Sequence, residues 1–183
     1  MKADITLNLG GGRNSKEIEL GEDAVDIIHI DIDQNAGIDI LADVFNVSLP
    51  FKNNSINRIR SSHCLEHVSY KNTVKILKEW KRVLKPGSRI DIYQSNFNFK
   101  AVTWVIRSIL KKEAEPGFIM GSHIGYDEHK TFFTPTLLRK NLEDAGFKNI
   151  KVTRGRNIAE YKRGVGKYIQ KVVWLELHAI AYK

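Results

Sequence analysis

Leu9-Gly10-Gly11-Gly12 and Asp31, about twenty residues further on, are the residues of this 183-residue chain best suited to hold a ligand. The three glycines close the apolar run 5–9. They permit a turn whose dihedrals a Cβ forbids, and they let main-chain N–H groups come close to a bound molecule. A carboxylate at Asp31 accepts hydrogen bonds on two oxygens, so it can hold two hydroxyls at once; Asp33 is the nearby alternative. This is the layout of a nucleotide-type cofactor site at the first turn of an α/β sheet. A nicotinamide dinucleotide would want another glycine three positions after Gly12, where Ser15 stands. It would also want a long helix to receive its pyrophosphate, and residues 13–24 are too polar to supply one. A cofactor without phosphates fits better.

A second group of residues could move protons. His63, His123 and His129 carry imidazoles that titrate near neutrality, and Tyr126 and Asp127 are further candidate bases. Cys64 has neither a preceding proline nor an activating neighbour, and reads as a buried apolar thiol rather than a nucleophile. The stretch from Ser122 to His129 mixes imidazoles with carboxylates, the donor types of borderline metals. A polar surface loop is the preferred reading of it, and no metal is expected.

These residues need a scaffold, and hydropathy periodicity predicts one. Strands are expected at 5–9, 25–32, 38–44, 56–61, 89–93, 147–152 and 172–181. A helix is expected from Asn72 or Thr73 to Leu84, with Val74, Leu77, Trp80 and Leu84 facing the core and Ile76 and Val83 flanking them. Pro86-Gly87 should stop it. A second helix should run from Thr136 to Ala145 and end at Gly146. An amphipathic segment covers 101–110. The link between the first two strands is too short for a whole crossover helix, so one or two helical turns are expected there. The strand–helix alternation implies an α/β fold: a doubly wound, mostly parallel seven-stranded sheet, closed by a C-terminal antiparallel pair and with a shortened first crossover.

Composition sets bounds. The hydrophobic fraction of 42% and the charged fraction of 27% are those of one ordinary globular domain. No apolar run approaches membrane-spanning length, and no secretory signal is readable. A single cysteine excludes an internal disulfide, and a reducing, cytoplasmic setting follows as the expectation. The net charge of +8 points to an acidic partner or to solubility alone. Arg154, Arg156, Lys162, Arg163 and Lys167, with Tyr161 and Tyr168 between them, could grip a phosphate backbone. They form no recognisable nucleic-acid module.

Six landmarks fall in order: Leu7 to Gly12, His29-Ile30-Asp31-Ile32-Asp33, Asp43 ahead of Leu49-Pro50-Phe51, Ser62 to Val68, Arg82 to Gly87, and Leu142 to Phe147. This string resembles the class I S-adenosylmethionine-dependent methyltransferases, specifically the small type 11 group. The resemblance is close over 5–95 and loose over 129–183. Asn57 and Ser88 depart from the pattern at positions without cofactor contact.

The resemblance implies S-adenosyl-L-methionine as cofactor. Leu9, Gly10, Gly11 and Gly12 would lie at its amino-acid end, Asp31 and Ile32 at its ribose, and Asp43 with Val44 at its adenine. Ser62 and His63 would face the methionine part and the acceptor. Glu66 and His67 more often organise this turn than do chemistry. The segment from His129 to Pro135 resembles the part that closes over the acceptor, which makes His129, His63 and His123 the candidate catalytic residues. The chain is expected to be one domain, 1–183, with an insert at 97–131 on the substrate side. With the first strand so near residue 1, the cofactor pocket should be open unless the insert or a second subunit covers it.

The expected activity is methyl transfer to oxygen or nitrogen of a small, anionic or sugar-like acceptor. Methylation of RNA or DNA through the basic loop is the alternative, and a non-catalytic binding protein is the third reading. A homo-oligomer stays open.

Overall fold

The computed structural model describes residues 4–10, 26–45, 48–110, 129–154 and 176–183. Its seven strands are β1 Ile5–Leu9, β2 Asp26–Asp31, β3 Ile40–Leu41, β4 Ile56–Ser62, β5 Leu84–Ser95, β6 Lys148–Arg154 and β7 Glu176–Tyr182. They form one sheet in the order β3-β2-β1-β4-β5-β7-β6. The first five strands pair in parallel, and β7 runs antiparallel to both β5 and β6. This is the expected mostly parallel sheet with an antiparallel C-terminal closure. Among the described residues three α-helices accompany it: α1 Tyr70–Val83, α2 Phe97–Ile109 and α3 Pro135–Asp144. The short first crossover lies outside the described residues.

The register sorts the side chains. Leu7 is level with Ile28 and Ile59, and Ile59 with Ile90, so an apolar row crosses the sheet. These positions join Ile76, Leu77 and Trp80 of α1 and Leu138 and Leu142 of α3 in one buried core. Asn8, Arg60 and Asp91, one residue out of step, form a polar row on the opposite face. There the buried Arg60 donates to Asn8 Oδ1 at 3.2 Å and sits 5.3 Å from the Tyr93 ring centre. Tyr93 in turn stacks on His178 at 4.3 Å between centroids.

Several boundaries differ from expectation. β3 shrinks from 38–44 to two residues, because carboxylates on either side take up backbone N–H groups: Asp39 bonds the His29 N–H at 2.8 Å, and Asp43 the Phe45 N–H at 2.8 Å. Helix α1 starts earlier, at Tyr70. Its core face is centred on Thr73, Ile76, Leu77, Trp80 and Val83, leaving Val74 half-buried. Pro86-Gly87 does not follow a helix end directly but lies inside β5, which begins at Leu84. Gly87 adopts φ +76 there, and the Lys183 N–H bonds the Ser88 carbonyl. Helix α3 behaves as its sequence reads. The Thr134 hydroxyl accepts from the Leu137 N–H at 3.1 Å, Pro135 opens the first turn, and Gly146 follows the end at φ +85.

Candidate active site

The strand order reverses between β1 and β4, and open α/β sheets bind ligands at the carboxyl ends of the strands at such a point. Gly10 ends β1 there, with φ +66 and its N–H bonded to the Ile30 carbonyl at 2.8 Å. A Cβ at Gly10 would collide with the Cys64 sulfur and lie 2.8 Å from its Cβ. Glycine is therefore required twice, for its dihedrals and for the sulfur packed against it. Cys64 is buried, and burial pushes its thiol up to about 12. A hydrogen bond from Ser61 opposes the rise, and the charges of Asp31, Glu66 and Asp43 add to it. A buried thiol held up there stays protonated at neutral pH, the expected apolar role for Cys64.

Asp31, at the end of β2, is half-buried; its Oδ1 accepts from the N–H groups of Ile32 at 2.7 Å and Asp33 at 3.1 Å. The carboxylate is thus fixed by its own turn. Beside it the Ile32 side chain is 73% exposed, an apolar plate next to an oriented acid. Asp43 is exposed, and Val44 is buried with its carbonyl bonded to Trp80 Nε1 at 3.2 Å. Leu9 is buried at the end of β1, and Ser62 is half-buried at the end of β4. Gly11, Gly12 and His123 lie outside the described residues. Arg154 is exposed at the end of β6, and Arg156, Lys162, Arg163 and Lys167 lie outside the described residues.

The turn after β4 carries a charged network. His63 takes a left-handed φ of +50, with its N–H on the Tyr93 carbonyl at 2.9 Å. Its Nε2 is 2.7 Å from Glu176 Oε1, and its Nδ1 is 3.3 Å from Glu66 Oε1. Burial alone would lower its pKa, but hydrogen bonds to Glu176 and Glu66 raise it to about 9. With both nitrogens donating, this imidazolium has no lone pair to take a proton, so the geometry does not support His63 as a base.

Glu66 is buried, which by itself raises its pKa. Hydrogen bonds from His129 and His63 reverse that and hold it well below the usual carboxylate range. His129 Nε2 lies 2.9 Å from Glu66 Oε1, and the Ser95 N–H bonds Oε2 at 3.2 Å. The backbone sets this geometry. The N–H groups of Lys130 and Thr131 both bond the Glu66 carbonyl, at 2.9 and 3.0 Å, and the Thr131 hydroxyl bonds the Val68 carbonyl at 2.5 Å. His67 packs edge-on to His129, with ring centres 5.2 Å apart. Ligand atoms of Glu66, His67 and His129 lie within 4.8 Å of one another, an ordinary zinc donor set. Glu66 is bonded here by two imidazoles and a main-chain N–H.

A shallow recess with a cavity volume of about 10 Å³ lies beside this network, lined by Glu66, Ser95, Phe97, Lys100, His129 and Phe132. Sequence reasoning placed Glu66 as a turn organiser and missed Glu176 altogether. Its one trace is an acid inside the apolar run 172–181.

The raised His63 pKa makes stability depend on pH. A folded-state value near 9 against 6.5 unfolded gives stabilisation that is complete below pH 6.5 and lost as pH climbs through 9. The side chain is 39% exposed, so solvent screening leaves about 1–2 kcal/mol of it. Urea unfolding of the wild type and of His63→Gln should differ most at the acid end of this window and converge above it. A gap that stays constant with pH would contradict the assignment.

Residues 7–92, just under half of the chain and running from β1 into β5, match a family model described as methyltransferase domain, of the type 11 group. Over that stretch the chain is similar to the methyltransferase domain family. Three solved structures share the fold of this chain. A SAM-dependent methyltransferase from Archaeoglobus fulgidus has a TM-score of 0.66 and 16% identity, covering 100% of this chain and 87% of that one. SAM-dependent methyltransferases from Methanosarcina mazei give 0.64 and 20%, covering 100% and 93%. Phosphoethanolamine N-methyltransferase 2 of Haemonchus contortus, in complex with S-adenosyl-L-methionine, gives 0.64 and 13%, covering 99% and 49%. No curated protein matches the chain. The family match supports an enzyme over the binding-protein reading. No helix among the described residues is long and apolar enough to cross a membrane.

Proposed function

We propose that this methyltransferase moves a methyl group to oxygen or nitrogen of a small anionic acceptor, with His129 as general base and Glu66 as the residue that positions it. The observation that carries the reading is the 2.9 Å contact between His129 Nε2 and a carboxylate held ionised. An ionised Glu66 can only accept, so Nε2 carries the proton of this contact and Nδ1 is the nitrogen left to take the acceptor's proton. Lys100 on the recess wall puts a cation beside His129, which favours an acceptor bearing carboxylate or phosphate.

On the cofactor side, Gly10 would give the amino-acid end room against the sheet edge. Asp31 would accept both ribose hydroxyls, Ile32 would cover the adenine face, and Asp43 would accept from the adenine amino group. The fixed Asp31 carboxylate beside the exposed Ile32 fits a nucleoside without phosphates. S-adenosylmethionine supplies an electrophilic methyl group on a sulfonium sulfur. His129 takes the acceptor's proton on Nδ1 as its oxygen or nitrogen is methylated. His63, as an imidazolium between two acids, fixes the turn and moves no proton. The single domain with an acceptor-side insert at 97–131 completes the reading.

Replacing Asp31 by alanine should weaken S-adenosylhomocysteine at least about tenfold, the worth of one hydrogen bond to a charged acceptor. Calorimetric titration measures this, and unchanged affinity would remove Asp31 from the cofactor site.

A further inference from the structure

Glu66, His67 and His129 bring a buried carboxylate and two half-buried imidazoles together, with one ligand atom of each within 4.8 Å of the others. Glu66 and His67 are neighbours on the single 3-10 turn Leu65–His67. His129 comes from a distant segment, and the backbone holds it there. The N–H groups of Lys130 and Thr131 both bond the Glu66 carbonyl, and the Thr131 hydroxyl bonds the Val68 carbonyl. Main-chain tethers beside the three side chains thus set their spacing without help from an ion. His129 Nε2 lies 2.9 Å from Glu66 Oε1. A nitrogen and an oxygen sharing one tetrahedral zinc stand about 3.3 Å apart, so a small shift admits an ion between them. The His67 ring meets the His129 ring edge-on, with centres 5.2 Å apart. Glu66 and His129 also line the recess, whose volume of about 10 Å³ is what one water needs as a fourth ligand. Two imidazoles and one carboxylate select a borderline ion over magnesium or calcium, which prefer oxygen. Lys100 on the recess wall and His63 bonded to Glu66 bring positive charge close by, which sets the expected affinity at micromolar rather than tighter.

We propose that Glu66, His67 and His129 form a binding site for a divalent borderline metal ion, with zinc as its type. An ion on Nε2 of His129 occupies the lone pair there. The proton that Nε2 carried is lost to solvent, and the neutral ring keeps its one proton on Nδ1 instead. Metal binding and proton acceptance at Nδ1 are therefore mutually exclusive, so zinc switches off methyl transfer. That consequence rests on His129 being the base; the site itself does not.

Calorimetric titration of zinc into the full chain, first freed of metal by a chelator, tests the site with magnesium present in large excess. The wild type should bind zinc at micromolar concentration, and its melting temperature should rise with zinc. His67→Ala should lose at least about tenfold in zinc affinity, a loss that even residues one step behind a metal cause. Its S-adenosylhomocysteine affinity should match the wild type, which shows that the variant is folded. Absence of zinc binding overturns the proposal, as does binding that magnesium displaces or that His67→Ala or His129→Ala retains. Imidazole nitrogen NMR reads the consequence: zinc should move the His129 proton from Nε2 to Nδ1, and an unchanged tautomer overturns the exclusion. The titration needs no turnover, so its failure leaves the base assignment standing, and a failed base assignment leaves the zinc titration unaffected.

Discussion

Replacing His129 by alanine is expected to lower turnover by about two to four orders of magnitude, the usual worth of a positioned general base, while cofactor affinity changes little. The asymmetry follows from where the imidazole sits. His129 is joined to the turn after β4 through Glu66 and lines the recess, whose lining includes none of Gly10, Asp31 and Asp43. Glu66→Gln should reproduce part of the loss, because an amide can donate to Nε2 and so destroy the preference for the tautomer with Nδ1 free. Its pH–rate profile should shift along with the rate, a change that a merely structural residue would not cause. Steady-state kinetics beside S-adenosylhomocysteine titration give the answer. Equal losses in rate and cofactor affinity would place His129 with the cofactor.

The second large effect falls on stability. Gly10→Ala should cost about 2–5 kcal/mol in urea unfolding, from the left-handed dihedral and from overpacking against Cys64. The two causes separate in a double-mutant cycle with Cys64→Ala. Removing the sulfur relieves part of the clash, so the pair should couple by about 1 kcal/mol or more. Strict additivity would show that the dihedral alone explains the glycine. Because the thiol is buried and pushed up to about 12, Cys64→Ala tests packing without removing a nucleophile.

The parts of the fold legible in the sequence are those written by local periodicity and punctuation. Strand β1 alternates apolar Ile5, Leu7 and Leu9 with Thr6 and Asn8 and is closed by Gly10, and α3 is bracketed by Thr134 and Gly146. The residues that blurred the rest act through side-chain bonds to backbone. Asp39 and Asp43 bond N–H groups around β3 and leave it two residues long. Pro86-Gly87 reads as a helix stop, yet the chain turns at Leu84 and carries the pair inside β5.

The candidate site divides the same way. Gly10 and Asp31 stand out because a strand-end glycine and a strand-end acid have a recognisable spacing. The proton network does not, since His63 meets Glu176 from 113 positions away, and only the antiparallel return of β7 brings them together. Both nitrogens of His63 are thereby engaged, which no local pattern could reveal, and the proposed base is therefore His129.

Titrating S-adenosylhomocysteine into Asp31→Ala and His129→Ala side by side tests most directly how the two ends of the site are divided. The alanine at 31 should lose the ligand, and the alanine at 129 should bind it as the wild type does. The reverse pattern, or two indistinguishable isotherms, would contradict a sheet edge that seats the methyl donor at β2 and handles the acceptor's proton beyond β4.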